Sequence, residues 1–408
     1  MKRIALLDGL RGFLIVFMLM NHLTFSGSFA LGWLNYAHFT FMQSAQGFIF
    51  LSGLLVGLAY MSMFDRRGPG TALRRLSRRS LELYGWHLAL VLIVLVLSRL
   101  IMGSSAAWGD WLGHLYADGM AYVLTAAGLL YQPTFMDILP QYILYLLVSP
   151  LVLWLVAGRR VWLIATLSLS AWLFVQLGAC LPLVTGLEAM LRYGSTDLVV
   201  RAHFNPLAWQ ILFIPGVTIG ALMARGEFVP ERAFLPEHTA WLSLALSILL
   251  FFLGWRLALL AGWVDTPVLL RFQAFERRNE FGPVYLLSFL AAAYAIAWLL
   301  IAGPRSGSVV ATTAARWLRA LLHHPFIMLL GRHALPVYAF HVLLVYGLKL
   351  ADWKLGPLGD PWSSLLALIS IAALAIPALL AERRRTLAAN DRPTTGTRLT
   401  TPSEVSAS

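Results

Sequence analysis

Long apolar runs alternate with short polar segments along the chain, and ten of these runs are long enough to cross a bilayer as helices. Runs of about 20 predominantly apolar residues are typical of transmembrane helices. We therefore predict an all-α integral membrane protein with about ten transmembrane helices. The predicted spans are 5–25, 40–61, 81–101, 137–156, 161–181, 207–224, 240–261, 283–302, 334–350 and 362–381.

An eleventh apolar segment, residues 111–130, is shorter than the others and contains His114 and Asp118. The basic residues decide its interpretation, because cytoplasmic loops of membrane proteins are enriched in lysine and arginine. With ten spans and both termini cytoplasmic, most basic residues fall on the cytoplasmic side, including the arginine-rich loop 66–79 and the arginines at 383–385. If 111–130 also spanned, the arginines at 383–385 would face outward. We predict a re-entrant or interfacial segment near 111–130.

The composition supports this class and excludes others. Hydrophobic residues make up 59% of the 408 residues and charged residues only 12%, with a mean hydropathy of +0.73. A soluble domain has about twice that charged fraction. We attribute the net charge of +12 to orientation in the bilayer and not to nucleic-acid binding. The single cysteine, Cys180, excludes a disulfide framework. We predict one membrane domain over 1–382 and a disordered cytoplasmic tail, rich in threonine, proline and serine, over 383–408.

The first predicted span, LLDGLRGFLIVFMLMNHLTF, carries Asp8, Arg11 and His22 in an otherwise apolar run. A charge near the centre of a spanning helix costs about 2.5–3.5 kcal/mol on insertion scales, so such residues usually have a function. Arg11 and His22 lie within about 20° of the same helix face, with a rise of about 16 Å between them. An imidazole there can accept a proton from a hydroxyl nucleophile. Alternatively, Asp8 and Arg11 form a structural i,i+3 pair and His22 is a hydrogen-bonded interfacial histidine.

Small residues line one side of the second predicted span, QSAQGFIFLSGLLVGLAY. We expect the ridge of Gly47, Ser52, Gly53 and Gly57 to permit close helix packing. Gln46 places an amide near the expected depth of His22. Packing alone explains the glycines, whereas Gln46 and Ser52 are weaker candidates for substrate binding.

The arginine-rich segment, RRGPGTALRRLSRR, precedes the third predicted span. One interpretation is that these arginines are attracted to anionic lipid. A second is a cytoplasmic phosphate-binding site, since arginine side chains match phosphate oxygens. In the second interpretation Arg75, Arg78 and Arg79 hold the nucleotide end of an acyl-coenzyme A, and Tyr84 faces the path beyond.

The segment GRHALPVYAFH, residues 331–341, contains Arg332 and His341. His22 and His341 lie on separate predicted helices without the spacing of metal ligands, which favours proton handling; we predict no metal site. The alternative is that His341 is a packed structural histidine.

Two long loops predicted to be external, 182–206 and 262–281, mix charged and aromatic residues. They either contact a sugar-like acceptor or are ordinary solvated loops. Their side chains include Glu188, Arg192, Tyr193, Asp197, Arg201, His203, Phe204, Arg271, Phe272, Phe275, Glu276, Arg277, Arg278 and Glu280.

These segments together resemble the acyltransferase-3 superfamily of membrane acyltransferases. DGLRG followed by MNH matches its Arg-x10-His pattern, QGFIFLSGLLVG its second helix, RRLSRRSLELY its arginine-rich segment and GRHALPVYAFH its C-terminal motif. The first sixty residues are most similar to the OpgC-type branch, whose members transfer succinyl groups to osmoregulated periplasmic glucans. Two departures are Ala334, where a serine is usual, and Tyr84-Gly85 in place of a proline-tyrosine pair.

The resemblance implies a multi-pass O-acyltransferase of the bacterial inner membrane. It would move an acyl group, in this branch succinyl, from cytoplasmic acyl-coenzyme A to a hydroxyl of a periplasmic glucan; acyl-coenzyme A is a co-substrate and no cofactor is tightly bound. The resemblance also implies that His22 is the catalytic residue and that Arg11 positions the donor.

Other roles are expectations built on that function. We expect Asp8 to orient Arg11, and His341, Gln46 or Asn21 to stabilise the oxyanion. The cations available for a succinyl carboxylate are Arg11, Arg332 and Arg256.

Several alternatives stay open on the sequence. Within the enzyme class, the alternative to direct transfer is a route through an acyl-histidine intermediate. Outside it, the chain is a transporter or flippase for a glycan or lipid-linked glycan, or a structural partner of a glucan synthase. A homodimer is compatible with all of these.

Overall fold

A computed structural model describes residues 5–117, 120–191 and 199–390 of the protein, and the described residues are helical apart from loops and one isolated β-bridge between Tyr131 and Arg201. The helices are α1 (Ala5–His22), α2 (Ser44–Arg67), α3 (Pro69–Leu100), α4 (Ser104–Leu112), α5 (His114–Ala117), α6 (Met120–Ala127), α7 (Ile138–Ala157), α8 (Val161–Gln176), α9 (Leu181–Met190), α10 (Pro206–Ala224), α11 (Pro230–Ala233), α12 (Thr239–Leu260), α13 (Thr266–Gln273), α14 (Pro283–Ile301), α15 (Val309–Leu322), α16 (Pro325–Arg332), α17 (Ala334–Leu355), α18 (Asp360–Ala373) and α19 (Ala375–Asn390).

Nine stretches within the described residues are long and apolar enough to cross a membrane, which confirms the all-helical, membrane-spanning class. They are α1, α2, α3, α7, α10, α12, α14, α17 and the run Asp360–Leu387 formed by α18 and α19. A tenth crossing results only if α8 and α9 are counted together, since the two bend by 78° at their break. The predicted span 161–181 is thus not one straight helix: α8 ends at Gln176, and Gly178 turns the chain with a φ of +75°. The cytoplasmic position of both termini stays a prediction.

The segment near 111–130 is divided among the short helices α4, α5 and α6. None of these three, over the residues that are described, is long enough to span, in agreement with the prediction that this segment does not cross. Asp118 lies outside the described residues.

The arginine-rich segment predicted as a loop is helical instead. Only Gly68, with a φ of +81°, separates α2 from α3, and Pro69 occupies the first turn of α3. Proline is well tolerated at that position, and the leucines and arginines that follow are good helix formers. Arg75, Arg78 and Arg79 therefore project from a continuous 32-residue helix.

The C-terminal helix passes the predicted domain boundary at residue 382. α19 continues to Asn390, and residues 391–408 lie outside the described residues. The disordered tail beyond that point stays a prediction.

Helix α1 contacts α2, α15, α16, α17 and α18. Glycines bring its backbone directly against α16. A Cβ added at Gly12 would lie 1.9 Å from the carbonyl oxygen of Ile327, and one added at Gly331 would lie 1.7 Å from that of Asp8. Only glycine permits these backbone contacts, so α1 is held tightly in position.

A second glycine interface joins α2 and α10. Cβ atoms added at Gly53 and Gly57 of α2 would meet the carbonyl oxygens of Phe213 and Val217 at 2.3 and 2.1 Å. The glycines of α10, Gly216 and Gly220, are just as close to the backbone of α2. The reciprocal pairs spaced four residues apart are the small-residue packing motif of membrane helices, which confirms the predicted close packing for Gly53 and Gly57. Gly47 instead faces the Leu14 side chain of α1.

Candidate functional site

Two histidines that are 319 positions apart meet where α1 ends. The Nδ1 atom of His22 lies 3.1 Å from the Nε2 atom of His341 on α17, and His341 is fully buried. His22 as a whole residue is partly exposed. The fold therefore brings together the two histidines that were predicted to handle protons.

The hydrogen bonds of His341 determine which nitrogen of His22 is available. The Nδ1 atom of His341 is bonded to the backbone oxygen of Tyr338. A carbonyl oxygen can only accept, so Nδ1 of His341 carries the proton and Nε2 of a neutral His341 is an acceptor. His22 then donates its own Nδ1–H to His341, and its Nε2 atom keeps a free lone pair. This tautomer gives His22 the form required of a general base.

Phe135, in the loop before α7, packs against the His22 ring of this histidine pair. Its ring stacks on the His22 imidazole with centroids 4.1 Å apart. The hydroxyl of Tyr338 donates to the Phe135 carbonyl at 2.9 Å, which ties the loop to α17. Phe135 also has a φ of +69°, a strained conformation for a bulky residue and one that clusters at functional sites.

Three polar residues predicted to bind substrate lie along α1 and α2. The Oδ1 atom of Asn21 accepts a hydrogen bond of 2.6 Å from Asn35, which leaves its Nδ2 group as a donor. Gln46 is fully buried and donates to the Phe41 carbonyl at 3.1 Å, while its Oε1 atom has no partner among the described residues. The buried Ser52 hydroxyl likewise has no described partner.

A small cavity lies next to Ser52, between α2, α7 and α10. Its lining comes from α2, α7 and α10 and is apolar or aromatic: Phe48, Ile49, Ser52, Ile138, Tyr142, Tyr145 and Phe213. The guanidinium of Arg11 lies 5.5 Å from the centroid of the Phe48 ring, so Arg11 borders the same region.

The arginine-rich part of α3 and the helix that carries Arg11 pack against a common neighbour. Helix α3 packs against α2 and α7, and α1 packs against α2.

The remaining predicted residues take other positions. Arg75 and Arg78 are exposed, whereas Arg79 pairs with Glu82 at 2.7 Å. The Tyr84 hydroxyl donates to the Ala127 carbonyl at 2.9 Å, a contact that anchors α6 to α3.

Asp8 and Arg332 lie apart from the histidine pair. Asp8 is buried against α16. That it orients Arg11 stays a prediction. Arg332 is exposed at the end of α16, next to His333, whose Nε2 atom pairs with Glu382 at 2.5 Å.

A buried acid that no sequence motif marks lies two residues from Phe135. Asp137 is 5% exposed, and its Oδ1 atom has no partner among the described residues. Burial raises the pKa of Asp137 to about 8, although Arg201 and Arg278 act in the opposite direction. In the sequence, an acid before an apolar run resembles an ordinary helix cap, so its burial was not foreseeable.

Replacing Asp137 with asparagine should change how stability depends on pH. Between its ordinary pKa of 3.8 and about 8, the folded protein keeps a proton that the unfolded chain has lost. Stability therefore falls as pH rises through this window, by up to about 1.4 kcal/mol per pH unit. We expect the melting temperature of Asp137→Asn to exceed that of the native protein by an amount that widens from pH 5 to pH 8. A difference that stays constant with pH would contradict the buried, protonated acid.

The chain matches the family model described as OpgC protein over residues 3–386. No curated protein matches the chain, and no solved structure does so either. The family match covers α1 with Arg11 and His22, the arginines of α3, and α17 with His341. Because it extends over nearly the whole chain, this membrane protein belongs to the OpgC protein family.

Proposed function

We propose that the protein is an O-acyltransferase of the bacterial inner membrane that moves a succinyl group from cytoplasmic acyl-coenzyme A to a hydroxyl of a periplasmic glucan. The observation that carries the proposal is the His22–His341 pair, since its hydrogen bonds leave Nε2 of His22 as a base at the end of a helix long enough to span the membrane. Membership of the OpgC family supports an acyltransferase-type enzyme acting on such glucans.

In the proposed reaction, Nε2 of His22 takes the proton of the glucan hydroxyl as its oxygen attacks the thioester carbonyl. The negative charge moves to the carbonyl oxygen, for which the Nδ2 group of Asn21 is a nearby donor. When the tetrahedral intermediate collapses, the C–S bond breaks and the thiolate takes the proton from His22. The products are the glucan ester and free coenzyme A. An acyl-histidine route uses the same residues, with Nε2 as the nucleophile.

His341 has a different role in this scheme from the oxyanion contact expected from the sequence. Its Nε2 atom faces His22 and accepts the Nδ1–H bond. It therefore orients the imidazole and stabilises the imidazolium that forms during transfer, as a hydrogen-bonded partner of a catalytic histidine does in other acyl-transfer enzymes.

The arginines of α3 and Arg11 are the groups that we assign to the donor. Arg75, Arg78 and Arg79 on α3 are suited to the phosphates of coenzyme A because each guanidinium offers several donors. Helix α3 packs against α2 and α7, which line the small cavity beside Arg11. Arg11 precedes His22 by about 16 Å along α1, and in this proposal the pantetheine arm passes Arg11 on its way to His22.

Thioester turnover by purified protein tests the proposal. The native protein in liposomes is expected to release coenzyme A from succinyl-coenzyme A when glucan is present, and the glucan is expected to gain mass as an ester. A transporter would move glucan across the liposome membrane without consuming the thioester. Glucan transport with no loss of thioester would therefore overturn the acyltransferase function.

A further inference from the structure

Three aromatic rings in succession connect His22 to the non-spanning helix α4. The His22 imidazole stacks on the Phe135 ring at a centroid distance of 4.1 Å. The Phe135 ring in turn contacts the indole of Trp111 on α4, with centroids 5.0 Å apart and planes at 79°. Each of these three residues is partly exposed. One phenyl ring therefore separates the Trp111 indole from the imidazole that we assign as the base.

The backbone of Trp111 is fixed, whereas its side chain remains at the surface of α4. The Trp111 carbonyl accepts from the backbone N–H of Thr134 at 3.0 Å, which ties α4 to the loop that carries Phe135. Trp108, one turn earlier, is only 2% exposed and donates its indole N–H to the Tyr346 carbonyl at 2.8 Å. The Trp111 indole N–H has no acceptor among the described residues. Trp108 thus anchors the helix, and Trp111 does not.

Helix α17 places an ammonium beside the Trp111 indole. The Nζ atom of Lys349 lies 5.7 Å from the centroid of the indole ring. Lys349 is partly exposed, and no ion pair of this lysine is found in the part of the chain that the structure describes. Tyr346, one turn earlier on α17, contacts the same indole with centroids 5.1 Å apart. The indole is therefore held by two neighbouring rings and has one unpaired cation next to it.

Lys349 lies near the end of the bundle at which both α1 and α17 terminate. The Oδ2 atom of Asp352, in the last turn of α17, accepts from the backbone N–H of Ser26, just after α1, at 3.0 Å. His341, which pairs with His22, comes eight residues before Lys349, so the lysine is about 12 Å further along α17 towards that end. In the proposed function this end of the bundle faces the glucan.

A flat indole with an ammonium beside it suits a sugar ring. A pyranose has a face of C–H groups, which buries apolar surface when it stacks on an aromatic ring. The edge of the pyranose carries hydroxyls, and an ammonium has three N–H donors for them. Ligand sites in proteins generally combine aromatic walls with a few polar groups in this way.

We propose that Trp111 and Lys349 form an acceptor subsite, which holds one sugar ring of the glucan and presents a hydroxyl of that chain to Nε2 of His22. This inference rests on the proposed acyltransferase function. The indole stacks on the C–H face of the sugar, and Lys349 donates to its hydroxyls. Because only the Phe135 ring lies between the indole and the imidazole, a hydroxyl of the stacked sugar or of its neighbour in the chain extends to His22.

Initial rates with varied glucan at saturating succinyl-coenzyme A test the subsite. We expect Trp111→Leu, which keeps an apolar side chain but removes the flat ring, to raise the KM for glucan by about tenfold or more. The KM for succinyl-coenzyme A should change by less than about threefold, because the indole contacts only the acceptor. Trp111→Phe should retain part of the affinity for glucan. Lys349→Met, which keeps the aliphatic stem, should raise the KM for glucan by about threefold or more.

Trp362→Leu is the matched control. Trp362 lies at the start of α18, is 64% exposed and contacts no other ring among the described residues, so both KM values should stay at the native level. An unchanged KM for glucan in Trp111→Leu, or an equal rise in both KM values, would overturn the subsite alone. If Trp111→Leu does not fold, an unchanged KM for glucan in both Trp111→Phe and Lys349→Met would overturn it. No thioester turnover by the native protein would instead overturn the proposed function and this inference with it.

Discussion

Replacing His22 with alanine is expected to reduce acyl transfer by about 10³-fold or more, near the upper range for a general base. In this scheme Nε2 of His22 is the atom that accepts the proton, and alanine has no group that can replace it. The measurement is the initial rate of glucan-dependent coenzyme A release by purified protein. His323→Ala is the control, since His323 is an exposed histidine bonded to the Arg319 carbonyl. A His22→Ala rate within tenfold of the native rate would contradict the base assignment.

The double variant separates the roles of the two histidines. If His341 acts only by orienting His22, His341→Ala lowers the rate by itself but adds nothing once His22 is alanine. We expect His22→Ala/His341→Ala to have the rate of His22→Ala. Multiplicative losses would show that His341 contributes independently, for example at the oxyanion.

Replacing Gly12 with alanine is expected to destabilise the bundle by about 3 kcal/mol or more, at or above the usual cost of overpacking. The added methyl would lie 1.9 Å from the Ile327 carbonyl oxygen, and helix backbone cannot move aside as a side chain can. Since Asp8 and Gly331 meet at the same interface, α1 and α16 would have to separate.

The melting temperature and the monodisperse fraction in detergent measure this effect. Gly85→Ala is the matched control, because nothing lies within 4 Å of a Cβ at that position of α3. It should be neutral or stabilising by about 0.5–1 kcal/mol through helix propensity. A Gly12→Ala protein that melts with the native one would contradict the close contact of α1 with α16.

Most of the fold was predictable because bilayer thickness fixes the length of an apolar helix. The prediction was wrong where local backbone geometry determines where a helix ends or begins. Gly178 divides the predicted fifth span, and Gly68 with Pro69 allows a helix to begin in a charged segment for which the sequence predicts a loop. Hydropathy does not report either feature.

The candidate site was predictable only in part. His22 and His341 stand out as imidazoles in apolar runs, but their 3.1 Å contact arises from the packing of α1 against α17. Asp137 has no such signal, because in the sequence it resembles a helix cap. Its burial depends on segments that are distant in the chain.

The most direct measurement of the central claim is the succinate content of periplasmic glucans. A strain lacking the gene would be complemented with the native gene or with His22→Ala, and membrane abundance of both proteins would be checked. We expect the native gene to restore succinylated glucans and His22→Ala, at equal abundance, to restore none above background. Glucans succinylated equally by both proteins would contradict acyl transfer at His22.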